Sequence, residues 1–191
     1  MIWVLRGRRA AACIAVAFGL VVLAGAAAAQ QSAAYFGLKF PRAIGGAQIG
    51  EPHDFESKNP GLGYSVNYRL PGGWIDVYIY DLRQASIPDD ATSEPVRGQL
   101  LQATKDVFNR KGATNIKAKL RYALLDDTAR VRFLCTSFIY SDKGTPLDSY
   151  LCVTSWKNKF VKFRMSTRHR AGSDAVFHDF MKAWIPVLWP S

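Results

Sequence analysis

Between residues 115 and 168 the sequence alternates apolar and polar side chains four times in succession, and only a few turn-forming residues join the runs. In Asn115–Leu125, Ile116, Ala118, Leu120, Tyr122 and Leu124 interleave with Lys117, Lys119 and Arg121. Asp126-Asp127-Thr128 turns the chain into Arg130–Tyr140, which is followed by Leu147–Trp156. Lys157-Asn158-Lys159 turns it again into Phe160–Arg168, where Val161, Phe163 and Met165 alternate with Lys162, Arg164 and Ser166. Successive side chains of a strand point to opposite faces, so period two in β-branched and aromatic residues specifies strands with one buried face. Connections this short join antiparallel neighbours, because a parallel crossover needs a dozen residues or more. The second half of the chain is therefore predicted to be a four-strand meander.

The middle turn of that meander fixes a register. A two-residue Lys143-Gly144 turn pairs residues whose numbers sum to 287, and Cys135 and Cys152 are such a pair. Counting outward from Asp142 opposite Thr145, hydrogen-bonded and non-hydrogen-bonded pairs alternate, and the two cysteines fall in the second class. There the Cα atoms stand ~4.5 Å apart, within reach of a disulfide. Pro146, opposite Ser141, falls in the same class, where its missing N–H costs the ladder nothing. The favoured reading is a structural disulfide. Free buried thiols, a redox pair and half of a zinc site are the alternatives. The last two are the poorer, since no Cys-x-x-Cys is present and two further zinc ligands would have to come from a distance.

The rest of the chain supplies four more strands, two of them short, and two helices. Turn formers crowd residues 36–63, with short strands expected at Ala47–Ile49 and His53–Glu56. Tyr64–Leu70 and Trp74–Leu82, separated by Pro71-Gly72-Gly73, read as a hairpin. A helix is expected over 94–111, with Ser93 as its cap, Pro95 in its first turn and Gly112 at its stop. A second helix, with Ser173 as its cap, carries Val176, Phe177, Phe180, Met181 and Trp184 on one face, with Pro186 predicted to end it. Runs of strands without strict strand–helix alternation favour an α+β fold, an antiparallel sheet packed with two helices.

Residues 1–29 read as an address. Arg6, Arg8 and Arg9 precede an uncharged apolar run and then a stretch of small residues ending at Ala29, the three parts of a cleavable secretory signal. Residues 30–191 are then a single domain, periplasmic or secreted, and not integral to a membrane after cleavage after Ala29. Without the leader 22 basic residues stand against 15 acidic ones, a net of +7, and the excess lies entirely beyond Lys105. An oxidising compartment suits the disulfide reading.

The order of elements over about residues 64–188, ending in "MKAWIPVLWP", resembles the PsbP-like fold, named for an extrinsic photosystem protein and shared by bacterial exported proteins. The segment "FPRAIGGAQIG … PGLGYSVNYRLPGGWIDVYIYDL" is also similar to the opening of a group of bacterial exported proteins. The resemblance implies a sandwich with binding or accessory work. It carries no catalytic motif, and fold alone is a weak guide to function.

Searching for chemistry leaves one feature above background. His53 sits among Glu51, Asp54 and Glu56, a local cluster that reads as solvated surface; His169 reads as exposed, and His178 lies off the main apolar face of its helix. Gly61-Leu62-Gly63 precedes a strand, so it reads as a turn and not as a phosphate cradle. No catalytic residue, metal site or cofactor is expected. The basic strands remain: Lys117, Lys119 and Arg121 are expected to share a face of one strand, Arg132 lies on the next, and Lys162, Arg164 and Arg168 share a face of another. If their sides coincide they form an anion-binding face, with Tyr140 and Trp156 at its rim; the plainer reading is a sheet blunting its solvent face with lysines. The resulting expectation is a non-catalytic binding module for an anionic lipid, a glycan or an acidic protein partner. A structural accessory subunit of an envelope complex is the alternative, and a hydrolase of unknown substrate the second. Nucleic acid is disfavoured by export and by the lack of a base-stacking motif.

Overall fold

The structure, a computed structural model, describes residues 34–190. The leader reading at 1–29 and its cleavage lie outside the described residues. Ten strands and two helices follow in the order β1 (Ala34–Tyr35), β2 (Leu38–Lys39), β3 (Ala43–Ile44), β4 (Ala47–Asp54), β5 (Tyr64–Leu70), β6 (Gly73–Tyr80), α1 (Glu94–Phe108), β7 (Ala113–Leu125), β8 (Val131–Asp142), β9 (Thr145–Trp156), β10 (Lys159–Arg168) and α2 (Ser173–Leu188). The fold is α+β. Strands β3 to β10 form one antiparallel sheet of eight, ordered β3-β4-β5-β6-β10-β9-β8-β7. The link from β6 to β7 carries α1, and the meander then returns so that β10 lies against β6.

Each face of the sheet takes one helix. Val161, Phe163 and Met165 of β10 point to one side with Val66, Tyr68, Ile75 and Val77, where Phe177, Phe180, Met181 and Trp184 of α2 cover them. Gly45 lets the β3–β4 turn come this close, because a Cβ there would meet the Phe180 backbone at 2.6 Å. Gly45 and Gly46 both have positive φ, as a two-residue hairpin turn of the strand-matching hand requires. On the other side, α1 packs Val96, Ala103 and Val107 on β8 and β9 through Phe138, Leu151 and Val153.

The register read from Lys143-Gly144 is found: Asp142 faces Thr145, Pro146 faces Ser141, and Cys135 faces Cys152. Both turn residues have positive φ, 49° and 81°. The two cysteines are joined in a disulfide, their Cα atoms 4.1 Å apart, inside the core covered by α2.

Four local expectations are corrected. The two short strands at 47–49 and 53–56 are one strand, β4, because a register shift between Ile49 and Pro52 absorbs the intervening residues as a bulge. Helix α1 ends at Phe108, where Asn109 donates its backbone N–H to the Lys105 carbonyl, and Ser93 Oγ makes no cap bond. Helix α2 continues past Pro186 to Leu188, with Gly172 at its cap. A proline in a final turn forfeits only one helical bond, and the end is fixed by Trp156, whose Nε1 donates to the Leu188 carbonyl (2.6 Å). Tyr140 and Trp156, expected at the rim of a surface, are both buried.

Candidate functional site

The basic strands do not make one surface. In β7 the register shifts between Ala118 and Leu120, so Lys117 faces Ile139 while Arg121 faces Thr136. Those partners are an odd number apart on β8, hence on opposite faces. Lys117 and Lys119 turn to the α2 side, where Lys119 lies 3.9 Å from the buried Asp148. Arg121 turns to the α1 side beside Arg97. Arg132 is committed elsewhere: its Nε donates to Asp126 (2.6 Å) and its guanidinium lies over the Trp189 ring at 4.6 Å. Arg168 is exposed at the end of β10. A bulge moves every later side chain to the other face, which strict alternation does not anticipate.

Lys162 and Arg164 have a different environment. They share the α1 face of β10 but lie half-buried, because β6 packs beside them and the polar flank of α1 covers them. Directly opposite on β6, Lys162 faces Tyr78 and Arg164 faces Asp76, with Tyr80 and Trp74 beyond at either end. From α1, Gln99, Gln102, Ala103 and Asp106 project over this groove at helical spacing, and Arg110 follows from just past the helix end. They enclose two adjoining cavities. The one at the Arg164 end, about 120 Å³, is lined by Trp74, Asp76, Arg110 and Ser166 among others. The other, about 270 Å³, runs from Lys162 past Tyr78 and Tyr80 to Phe55, Leu62 and Leu82. Tyr78, Ala103, Asp106 and Lys162 line both. Tyr80 donates its hydroxyl to Gln99 Oε1 (3.0 Å), which ties the helix to the floor.

The charges in this groove are unevenly matched. Asp76 accepts from Asn67 Nδ2 (2.8 Å) and Asp106 from Gln102 Nε2 (3.0 Å), so each carboxylate is partly engaged by an amide. Arg110 pairs with Asp142 at 3.6 Å. Among the described residues, neither Lys162 nor Arg164 has a carboxylate within 4.0 Å. The Lys162 ammonium instead lies over the Tyr78 ring at 4.3 Å and near that of Tyr80 at 5.5 Å. Nε and Nη2 of Arg164 are sealed from solvent and meet no acceptor in good hydrogen-bond geometry, although the Tyr140 hydroxyl lies near the guanidinium. A buried donor left unsatisfied costs about 1–3 kcal/mol, more when charged.

Burial, and secondarily the Arg164 charge, pulls the Lys162 pKa below its ordinary value, against the pull of Asp106 and Asp76. Burial likewise lowers Arg164, opposed by Tyr140. Burial and then Asp76 push the Tyr78 phenol up to about 12, so at neutral pH it is a neutral donor. Two neighbouring cations with weak compensation are thus held in a partly dry groove.

The far end of the groove is built with care. Glu56 accepts backbone N–H bonds from Gly61 (2.9 Å) and Gly63 (2.8 Å), so this glycine loop cradles the chain's own carboxylate. Gly63 has φ 64° and a Cβ there would run into the Ile79 carbonyl. Leu82 N donates to the Gly61 carbonyl (2.8 Å), and Arg83 Nε to that of Pro60 (2.9 Å). Leu62 and Leu82 are thereby fixed at the mouth, 44% and 39% exposed.

The remaining sequence candidates are placed as follows. Asp54 accepts from Ser57 N, while the His53 ring packs on Phe55 at 4.2 Å. His169, expected to be exposed, is so, and its Nδ1 lies 2.9 Å from Asp148 Oδ1. The His178 ring packs against that of Tyr122. Among the described residues no cluster of three or more metal-ligating side chains is found, and no helix is long and apolar enough to cross a membrane. Sequence reasoning missed Trp74, Asp76, Tyr78, Asp106 and Arg110 as one site. The signal available for the helical part was the polar series Gln99, Gln102 and Asp106, which recurs at three and four.

No protein-family model and no curated protein matches the chain. Among solved structures, the chain is similar to the solution structure of cyanobacterial PsbP (CyanoP) from Synechocystis sp. PCC 6803. The TM-score is 0.40 and the identity 14%, over 73% of this chain and 84% of that one.

Proposed function

We propose that this protein is a non-catalytic, exported binding module whose groove between α1 and the β6–β10 face takes an anionic ligand. One observation carries the reading: Arg164 lines the smaller cavity with Nε and Nη2 buried and unpartnered, beside Lys162, which lines both cavities and lies over the Tyr78 ring with no carboxylate within 4.0 Å. These two nitrogens form one edge of the guanidinium, the edge that takes a carboxylate or phosphate with two parallel charge-assisted bonds. A bound anion would supply the partners that the fold withholds. Export is supported by the Cys135–Cys152 disulfide, since such bonds persist in oxidising compartments.

An accessory subunit docking through a sheet edge has less support. The long free edge, β7, carries three register shifts and Lys117 and Lys119, features that obstruct addition of another strand. A hydrolase would need an activated nucleophile or base in the groove, and Asp76 and Asp106 each accept from an amide instead. The test is calorimetric titration of the purified protein with phosphate and acetate at constant ionic strength. Saturable binding that is lost in Arg164→Met is expected. Binding that survives this substitution would overturn the assignment of the site.

A further inference from the structure

We infer that the ligand is an amphiphilic carboxylate, its head on Arg164 and Lys162 and its apolar body lying toward Leu62 and Leu82. This rests on the anion-binding reading of the same groove and goes beyond it in naming the ligand class. The head is argued from charge. Lys162, Arg164 and Arg110 are matched in number by Asp76, Asp106 and Asp142, the partner of Arg110, so the empty groove is neutral. That balance tolerates a monoanion better than a dianion. The planar Nε–Nη2 edge, once the side chain turns it from its sealed position toward the cavity, fits the two oxygens of a carboxylate.

The body is argued from what lies past Lys162. The larger cavity adjoins the cationic end, with Lys162 and Tyr78 lining both, and its far side is Phe55, Leu62, Tyr80 and Leu82. A single exposed leucine needs no explanation. Here two exposed leucines are held at one mouth by a loop wired to its own carboxylate, and Leu82 sits at φ 53°, a conformation side chains seldom adopt. Local strain that the surroundings enforce concentrates at ligand sites. A ligand with a short aliphatic chain would remove these surfaces from water while its head satisfies Arg164.

The probes are acetate, butyrate, hexanoate and octanoate, with 1-octanol and inorganic phosphate as controls, titrated calorimetrically into the wild-type protein and Arg164→Met. The expected result is an affinity that rises about fourfold per buried methylene, the factor corresponding to ~0.8 kcal/mol. That rise should be absent in Arg164→Met, and octanol should bind far more weakly than octanoate. If acetate and phosphate bind through Arg164 but chain length changes nothing, the amphiphile inference fails while the anion site stands. If octanol matches octanoate, the head contributes nothing and the inference is likewise overturned. If no anion binds in an Arg164-dependent way, both readings fall.

Discussion

Arg164→Met should make the empty protein more stable. The guanidinium keeps two buried donors without partners, and each such donor costs about 1–3 kcal/mol. Methionine retains the apolar stem, fills irregular space and asks for no hydrogen bonds. Replacing buried ionic groups by apolar ones of similar volume is often neutral or stabilising by ~1–4 kcal/mol. A gain of ~1–3 kcal/mol is therefore expected in urea denaturation, and at ~2–4 °C per kcal/mol the thermal midpoint rises by several degrees. Saturating anion reverses part of this. A ligand at a hundred times its Kd adds ~2.7 kcal/mol to the wild type and nothing to a variant that cannot bind it. The two denaturation curves should thus approach or cross as octanoate is added. A variant that loses more than ~1 kcal/mol, with a wild type indifferent to every anion, would show that Arg164 has a structural partner and would refute the reasoning.

Four other outcomes follow from the same geometry. The Cys135→Ser, Cys152→Ser double variant should lose ~3 kcal/mol relative to the oxidised protein, the loop-closure value for about 16 residues, and match the wild type under reductant. Equal loss in both conditions would contradict the entropic account. Gly63→Ala should cost at least ~2 kcal/mol, since the residue needs positive φ and has no room against Ile79; near-neutral behaviour in chemical denaturation would disprove the loop geometry. Anion affinity should fall as pH climbs through the lowered Lys162 pKa, below the ordinary 10.5, because the ammonium is lost there. Over the same window the unfolded chain holds the extra proton, so the stability of the empty protein rises with pH. Titrations across alkaline pH in wild type and Lys162→Met check both signs: the variant should flatten them, and an unchanged profile would place the titration elsewhere. Trp156→Phe should cost about 1 kcal/mol through the lost bond to the Leu188 carbonyl, with anion binding intact; a cost indistinguishable from zero would remove that anchor from the account of α2.

What could be read from the sequence was local. Lys143-Gly144 fixed the register because a two-residue turn leaves only one pairing, and the disulfide followed from it. The same period-two logic failed in β7, where an extra residue near Lys119 reverses the faces of Lys117 and Arg121. Lys162 and Arg164 were found by type and spacing, yet placed on an open surface. Their true setting depends on β10 lying against β6 and on α1 crossing the opposite strands, pairings made over a long stretch of chain. Asp76 and Asp106 belong to the site for the same reason, and neither carries a local mark. Pro186 misled because one missing helical bond is outweighed by burying Leu188 and bonding its carbonyl to Trp156.

The most direct measurement follows the Arg164 Nε–H resonance in protein labelled with ¹⁵N-arginine while octanoate is added, assigned by its absence in Arg164→Met. A saturable shift confined to this resonance, with the other arginine signals unmoved, is the predicted result. An Arg164 signal that stays in place while octanoate binds, or shifts shared by all arginines, would contradict a carboxylate seated on its buried edge.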